Sequence, residues 1–133
     1  MPHAVKAHAV RKGIFMMEEA FFRTMLFDFY GELLTEKQRS YFDWHYNEDL
    51  SLAEIAQSEG ISRQGVWDII RRAEESLRNI EEKTGLIARF AAQRDAVAAA
   101  EKTLAELRPL TEGRARKLTD DLSDSIQELR YGI

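Results

Sequence analysis

The chain has 133 residues, enough for one domain, or one domain with an appendage, around a modest core. It has no cysteine, which excludes disulfides and thiolate metal sites, and no apolar run approaches the roughly 20 residues of a membrane span. The net charge is −4, and residues 35–82 carry six Lys or Arg against eleven Asp or Glu, which argues against binding driven by phosphate neutralisation alone.

Residues 1–16 are basic, free of acids and without clean periodicity. They read as a flexible N-terminal arm, or as a start assigned upstream of the true one at Met16 or Met17. The arm lacks the continuous apolar stretch of a secretory signal, so the chain is expected to be cytoplasmic, with no membrane association. His3 and His8 lie five apart, a spacing that does not share a helical face, and no metal is assigned to them.

From Glu18 to Leu34 the sequence is apolar and aromatic. Phe22, Met25, Leu26, Phe29 and Leu33 follow helical spacing, and Glu18 and Glu19 suit the positive end of a helix dipole. A helix this aromatic must be covered on more than one side, by the C-terminal segment or by a second chain. Thr35 and Gln38 then form a capping box, and Glu36–Tyr46 continues as a helix with Tyr41, Phe42 and His45 or Tyr46 inward. His45, between Trp44 and Tyr46, reads as a packed or hydrogen-bonded histidine.

Ser51 and Glu54 form a second capping box ahead of a short helix, Leu52 to Ser58, with Leu52, Ile55 and Ala56 on one face. Gly60 can take the positive φ that ends a helix, Ile61 closes the cap, and Ser62 restarts the chain as an N-cap. Beyond it Val66, Ile70, Ala73, Leu77 and Ile80 repeat at four, three, four and three, the buried stripe of a long helix. Short helix, glycine turn, long helix is a helix-turn-helix. The face opposite the stripe carries Gln64, Trp67, Asp68, Arg71, Glu75 and Arg78, with Arg63 at its flank. When such a helix enters a major groove, its first turn reaches base edges, Arg suiting guanine and Gln adenine. The same tri-helical motif also serves in protein docking, so the partner stays open.

LFDFYGELLTEKQRSYF, followed at its spacing by SLAEIAQSEGISRQGVWDIIRRAEESL, resembles the YlxM family of small bacterial helix-turn-helix proteins. LTEKQR, SLAEIA and SRQGV are more distantly similar to region 4 of sigma factors. The likeness covers roughly Arg23 to Phe90. It implies a cytoplasmic regulatory or accessory protein of the signal recognition particle pathway, because genes of this family lie next to those for the particle's GTPase and its receptor. By that likeness Ser62, Arg63, Gln64, Arg71 and Arg72 occupy the family's SRQ and basic recognition-helix positions. Gly65 stands where the family usually has Ala, and Trp67 replaces a smaller aromatic.

Residues 83–133 balance nine basic against eight acidic residues. Thr84 to Leu107 reads as a helix with Phe90, Val97 and Leu104 a heptad apart and Ile87 beside Phe90, a seam for an antiparallel hairpin or a short intermolecular coiled coil. Pro109 and Gly113 break it. Lys117 to Arg130 then places Leu118, Leu122, Ile126 and Leu129 on one face, while Arg114, Arg116 and Lys117 form a compact basic cluster, either a solvated turn or a contact for RNA or phosphate.

The expected class is all-α: a sigma-region-4-like helix-turn-helix core over 17–83, preceded by an aromatic N-terminal helix, and a C-terminal extension of two amphipathic helices over 84–133 for packing or dimerisation. No glycine-rich phosphate loop, nucleophile motif or histidine pair marks an enzyme, and no cofactor or metal is expected. Two readings of function remain. In one, the protein docks on the RNA or the GTPase of the signal recognition particle. In the other, a homodimer reads duplex DNA. In either, the nucleic-acid-binding candidates are Ser62, Arg63, Gln64, Trp67, Arg71, Arg72 and Arg78.

Overall fold

The computed structural model describes residues 18–131. Among them are six α-helices and two single-turn 3-10 helices, with no strand: α1 (Glu19–Tyr30), a 3-10 turn (Gly31–Leu33), α2 (Glu36–Tyr46), α3 (Leu52–Glu59), α4 (Arg63–Thr84), α5 (Leu86–Leu107), a second 3-10 turn (Arg108–Leu110) and α6 (Gly113–Tyr131). The fold is all-α. Two compact units are present, one ending at Ile87 and the other beginning at Ala88. The expected arm over residues 1–16, with His3 and His8, lies outside the described residues.

The first unit is built on α4. Val66, Ile70, Ala73 and Leu77 are fully buried, and α1, α2 and α3 each pack on this helix. The core is completed by Leu26, Tyr30, Leu34, Tyr41, Phe42, Ile55, Ala56 and Ile87. Dispersion and the removal of apolar surface from water hold these helices together, since short helices in isolation are marginal. Ile80, the last residue of the expected stripe, is only partly buried. Glu81 takes the buried position beside it.

The helix ends follow the capping chemistry. Thr35 Oγ1 accepts from the Gln38 N–H while Gln38 Oε1 accepts from the Thr35 N–H, and Ser51 and Glu54 do the same for α3. Gly60 sits at φ 70°, and the N–H groups of Gly60 and Ile61 both donate to the Ala56 carbonyl. His45 Nδ1 donates to the Leu50 carbonyl at 2.8 Å, which fixes the ring's tautomer and ties α2 to the turn before α3.

The first helix differs from the sequence expectation. Phe29 and Leu33 were expected on the buried stripe, yet they are 39% and 71% exposed, while Tyr30 and Leu34 are buried. The tightening to a 3-10 turn at Gly31 changes the angular phase so that Leu34 turns inward in place of Leu33, whereas Phe29 lies upstream in regular helix, where Tyr30 follows the buried Leu26 at i+4. A Cβ on Gly31 would stand 3.2 Å from the Phe27 ring, so the turn suits glycine.

Tyr30 points inward to a carboxylate. Its hydroxyl donates to Glu81 Oε1 at 2.6 Å and lies 2.7 Å from Thr84 Oγ1, and Glu81 Oε1 also accepts from the Ile87 N–H at 2.9 Å. Glu81 thus satisfies one of the free N–H groups in the first turn of α5. Around the rim, Arg23 pairs with Glu74 and lies over the Tyr46 ring, while Arg78 bridges Glu74 and Glu19 and lies over the Phe22 ring. These contacts clasp α1 and α2 to α4.

In the second unit the expected break at Pro109 is confined to one 3-10 turn. Gly113 at φ 58° lets α6 begin a turn earlier than the apolar pattern from Lys117 suggests. Arg108 pairs with Asp120 and Glu101 with Arg130, at 2.8 and 2.7 Å. The nesting of the first pair inside the second makes α5 and α6 antiparallel. Val97 and Leu104 of the heptad seam are buried and Phe90 is partly so.

Removing the Tyr30 hydroxyl leaves a buried carboxylate short of a donor, so Tyr30→Phe is expected to lose about 1.5–3 kcal/mol in chemical denaturation. A loss below about 0.5 kcal/mol would contradict the role given to this bond. Burial raises the Tyr30, Tyr41 and Tyr46 hydroxyls above their ordinary pKa of 10.0, and the bond to Glu81 reinforces this at Tyr30. The folded state therefore holds these protons more tightly than the unfolded state. That stability is complete below about pH 10 and is lost as pH rises through the folded values. Thermal unfolding should move to lower temperature above pH 10 together with the tyrosinate absorbance, and less steeply in Tyr30→Phe.

Candidate functional site

The turn between α3 and α4 sets the geometry of the exposed face. Ser62 Oγ accepts from the Gly65 N–H at 3.0 Å and caps α4. A Cβ at Gly65 would approach that oxygen to 3.2 Å, so the glycine gives the cap room at a position where the resemblance implies alanine. With the Val66, Ile70, Ala73 and Leu77 side buried, the first two turns of α4 hold Arg63, Gln64 and Trp67 outward. Together with Leu52 at the start of α3 these three line one open groove. Trp67 is 37% exposed, a large aromatic surface left to solvent at the motif's outer edge. Leu52 was assigned inward from its spacing. As the first residue of α3 it does both, one edge against the core and the other in the groove.

The remaining candidates are arranged unevenly. Gln64 donates from Nε2 to Asp68 Oδ1 at 3.0 Å, and Arg71 pairs with Glu75 at 3.0 Å one turn further on. Arg63 and Arg72 are exposed and form no ion pair among the described residues. Arg72 lies about 100° around the helix from Arg71 and so faces a different direction. Arg78 stands fifteen residues beyond Arg63, about 22 Å along the axis, and is held by Glu19 and Glu74. The structure therefore brings Arg63, Gln64 and Trp67 together, sets Arg71 on the adjoining turn, uses Ser62 as a cap and engages Arg78 in the clasp on α1. Asp68 and Glu75 stand among the arginines, so the face alternates in charge.

Among the described residues there is no cluster of three or more His, Asp or Glu side chains that could hold a metal ion. Also among them, no helix is long and apolar enough to cross a membrane.

Fold and face together define a helix-turn-helix protein. The family model described as "Putative helix-turn-helix protein, YlxM / p13 like" matches residues 17–114, and the chain belongs to this family, UPF0122. A UPF0122 protein of Thermoanaerobacter sp. (strain X514) is 53% identical over 74 residues, 56% of this chain and 63% of the relative, so that match spans less than two thirds of the relative's length. Another of Shouchella clausii (strain KSM-K16) is 40% identical over 114 residues, covering 86% of this chain and 99% of the relative. A third, of Listeria welshimeri, is 38% identical over 116 residues, covering 86% and 97%.

Loss of the α4 cap tests whether the face depends on local order. Ser62→Ala is expected to cost about 1 kcal/mol of stability and to increase amide exchange in the first turn of α4, with the rest of the helix unchanged. Unchanged exchange at Gly65 and Val66 would show that the cap does not set the turn.

Proposed function

We propose that the protein is a non-catalytic, cytoplasmic accessory regulator of the signal recognition particle pathway, whose α3–α4 face docks on the particle's RNA or GTPase. The observation that carries this is the composition of the groove: an exposed tryptophan beside Arg63, Gln64 and Leu52, within a face whose other cations are largely matched by carboxylates. Tryptophan and arginine are the side chains that most often dominate the energy of a macromolecular interface, and a charge-balanced surface suits one defined partner better than a general phosphate backbone. The choice of partner rests on the neighbourhood of genes that the family resemblance implies.

The alternative is a sequence-specific DNA-binding regulator. It is supported by Arg63 and Gln64 in the first exposed turn of α4, where side chains of a recognition helix meet base edges. In that reading Arg63, Gln64 and Trp67 read bases while Arg71 and Arg72 hold phosphates.

The variants Trp67→Ala and Arg63→Ala separate the two. Under the docking reading, Trp67→Ala lowers affinity for a signal-recognition RNA–GTPase preparation by about 2 kcal/mol or more, roughly thirtyfold, and excess duplex DNA does not compete. Under the DNA reading, Arg63→Ala costs about 1–3 kcal/mol on the preferred duplex and relaxes specificity at one base pair. If the wild-type protein bound neither the RNA nor the GTPase, the docking reading would be wrong.

A further inference from the structure

The second unit carries an apolar face that nothing in its own hairpin covers. Leu118, Leu122 and Leu129 of α6 are 53%, 52% and 52% exposed, although the adjoining side of the same helix, at Thr119, is buried. With Ala115 and Ser125 these leucines recur at three, four, three and four, the a/d seam of a coiled coil. A seam half in water on a helix already paired to α5 through Arg130 and to the 3-10 turn through Asp120 is a surface with a missing partner.

The charges beside the seam identify that partner. The positions immediately before each a residue are Arg114, Asp121 and Glu128, all exposed and none in an ion pair among the described residues. Their signs are segregated along the helix, with Arg114 and Lys117 in the first turns and Asp121, Asp124 and Glu128 beyond. Apart from Arg130, which is paired with Glu101, the helix is basic at its start and acidic toward its end, and such a helix is complementary to its own copy running the other way. In the antiparallel register that sets Leu118 against Leu122 of the second copy, Ala115 faces Ser125 and Arg114 meets Glu128, twice over by the two-fold symmetry. That register also brings the end of the second copy's α6 to the level of Leu110, which is 81% exposed at the hairpin tip.

We propose that the α6 leucine face is a homodimer interface, an antiparallel pairing of two copies fixed in register by reciprocal Arg114–Glu128 pairs. One like-charge contact is built in, because Asp121 meets its own copy near the two-fold axis. The inference is independent of the partner proposed for the α3–α4 face.

The chain gives a monomer mass of 15.4 kDa, so sedimentation equilibrium of the full-length protein at micromolar concentration is expected to return twice that mass. Leu122 is half-exposed, so Leu122→Lys should keep the helical circular dichroism and weaken dimerisation about a hundredfold or more. Charge reversal tests the register. Arg114→Glu alone should weaken the dimer about tenfold, and the double variant Arg114→Glu/Glu128→Arg should restore it, because each copy then supplies the inverted pair. Asp121→Asn should tighten association. A monomer at every concentration would overturn the proposal and leave the leucine face to be covered within the chain. A dimer insensitive to Leu122→Lys would overturn it as well, and failure of the double reversal to restore association would overturn the antiparallel register.

Discussion

One side of α4, from Val66 to Leu77, must be dry, and the first unit is arranged to make it so. Those four side chains are fully buried, and the other three helices of the unit supply the surfaces that bury them. The orientation of the outer face follows from this constraint. At about 100° per residue, turning Val66 and Ile70 inward leaves Gln64, Trp67 and Arg71 on the other side of the helix. Deleting a buried leucine such as Leu77 would therefore loosen the candidate interface along with the core.

A second constraint acts at the junction after α4. Glu81 is buried with its carboxylate between the Tyr30 hydroxyl and the Ile87 N–H, so it closes the end of the unit and caps the next helix with the same oxygen. A buried carboxylate is tolerated only when such donors meet it, which gives Tyr30 a polar as well as an apolar reason to face inward.

Much of this was legible in the sequence, because the signals were local. The two capping boxes, the left-handed Gly60 and the Ser62 cap each involve residues within a few positions of one another, and the stripe on α4 is a regular repeat. What was not legible depended on distant partners. Glu81 reads as one more acid on a solvated helix until Tyr30, 51 positions away, is seen to reach it. Arg78 reads as a free cation on the outer face until Glu19, 59 positions away, is placed beside it. The phase change at Gly31 was hidden because Leu33 fits an uninterrupted helix as well as Leu34 fits a tightened one. The grouping of Arg63, Gln64 and Trp67 could be read from helical spacing, whereas the contribution of Leu52 needed the packing of α3 against α4.

Charge divides the two functional readings. Arg71 and Arg78 are matched to carboxylates, leaving Arg63, Arg72 and, at the far end, Lys83 as exposed cations of α4 outside any ion pair among the described residues. Few free cations release few counterions, and affinity for a duplex should then be weak and should gain little from its salt dependence. The most direct test is a titration of the purified protein at two salt concentrations against mixed-sequence duplex DNA and, separately, against the signal-recognition RNA with its GTPase. Saturable binding to the RNA–GTPase preparation and only weak association with the duplex are expected. Tight, strongly salt-dependent and sequence-selective binding to DNA, with none to the RNA or the GTPase, would contradict the docking reading.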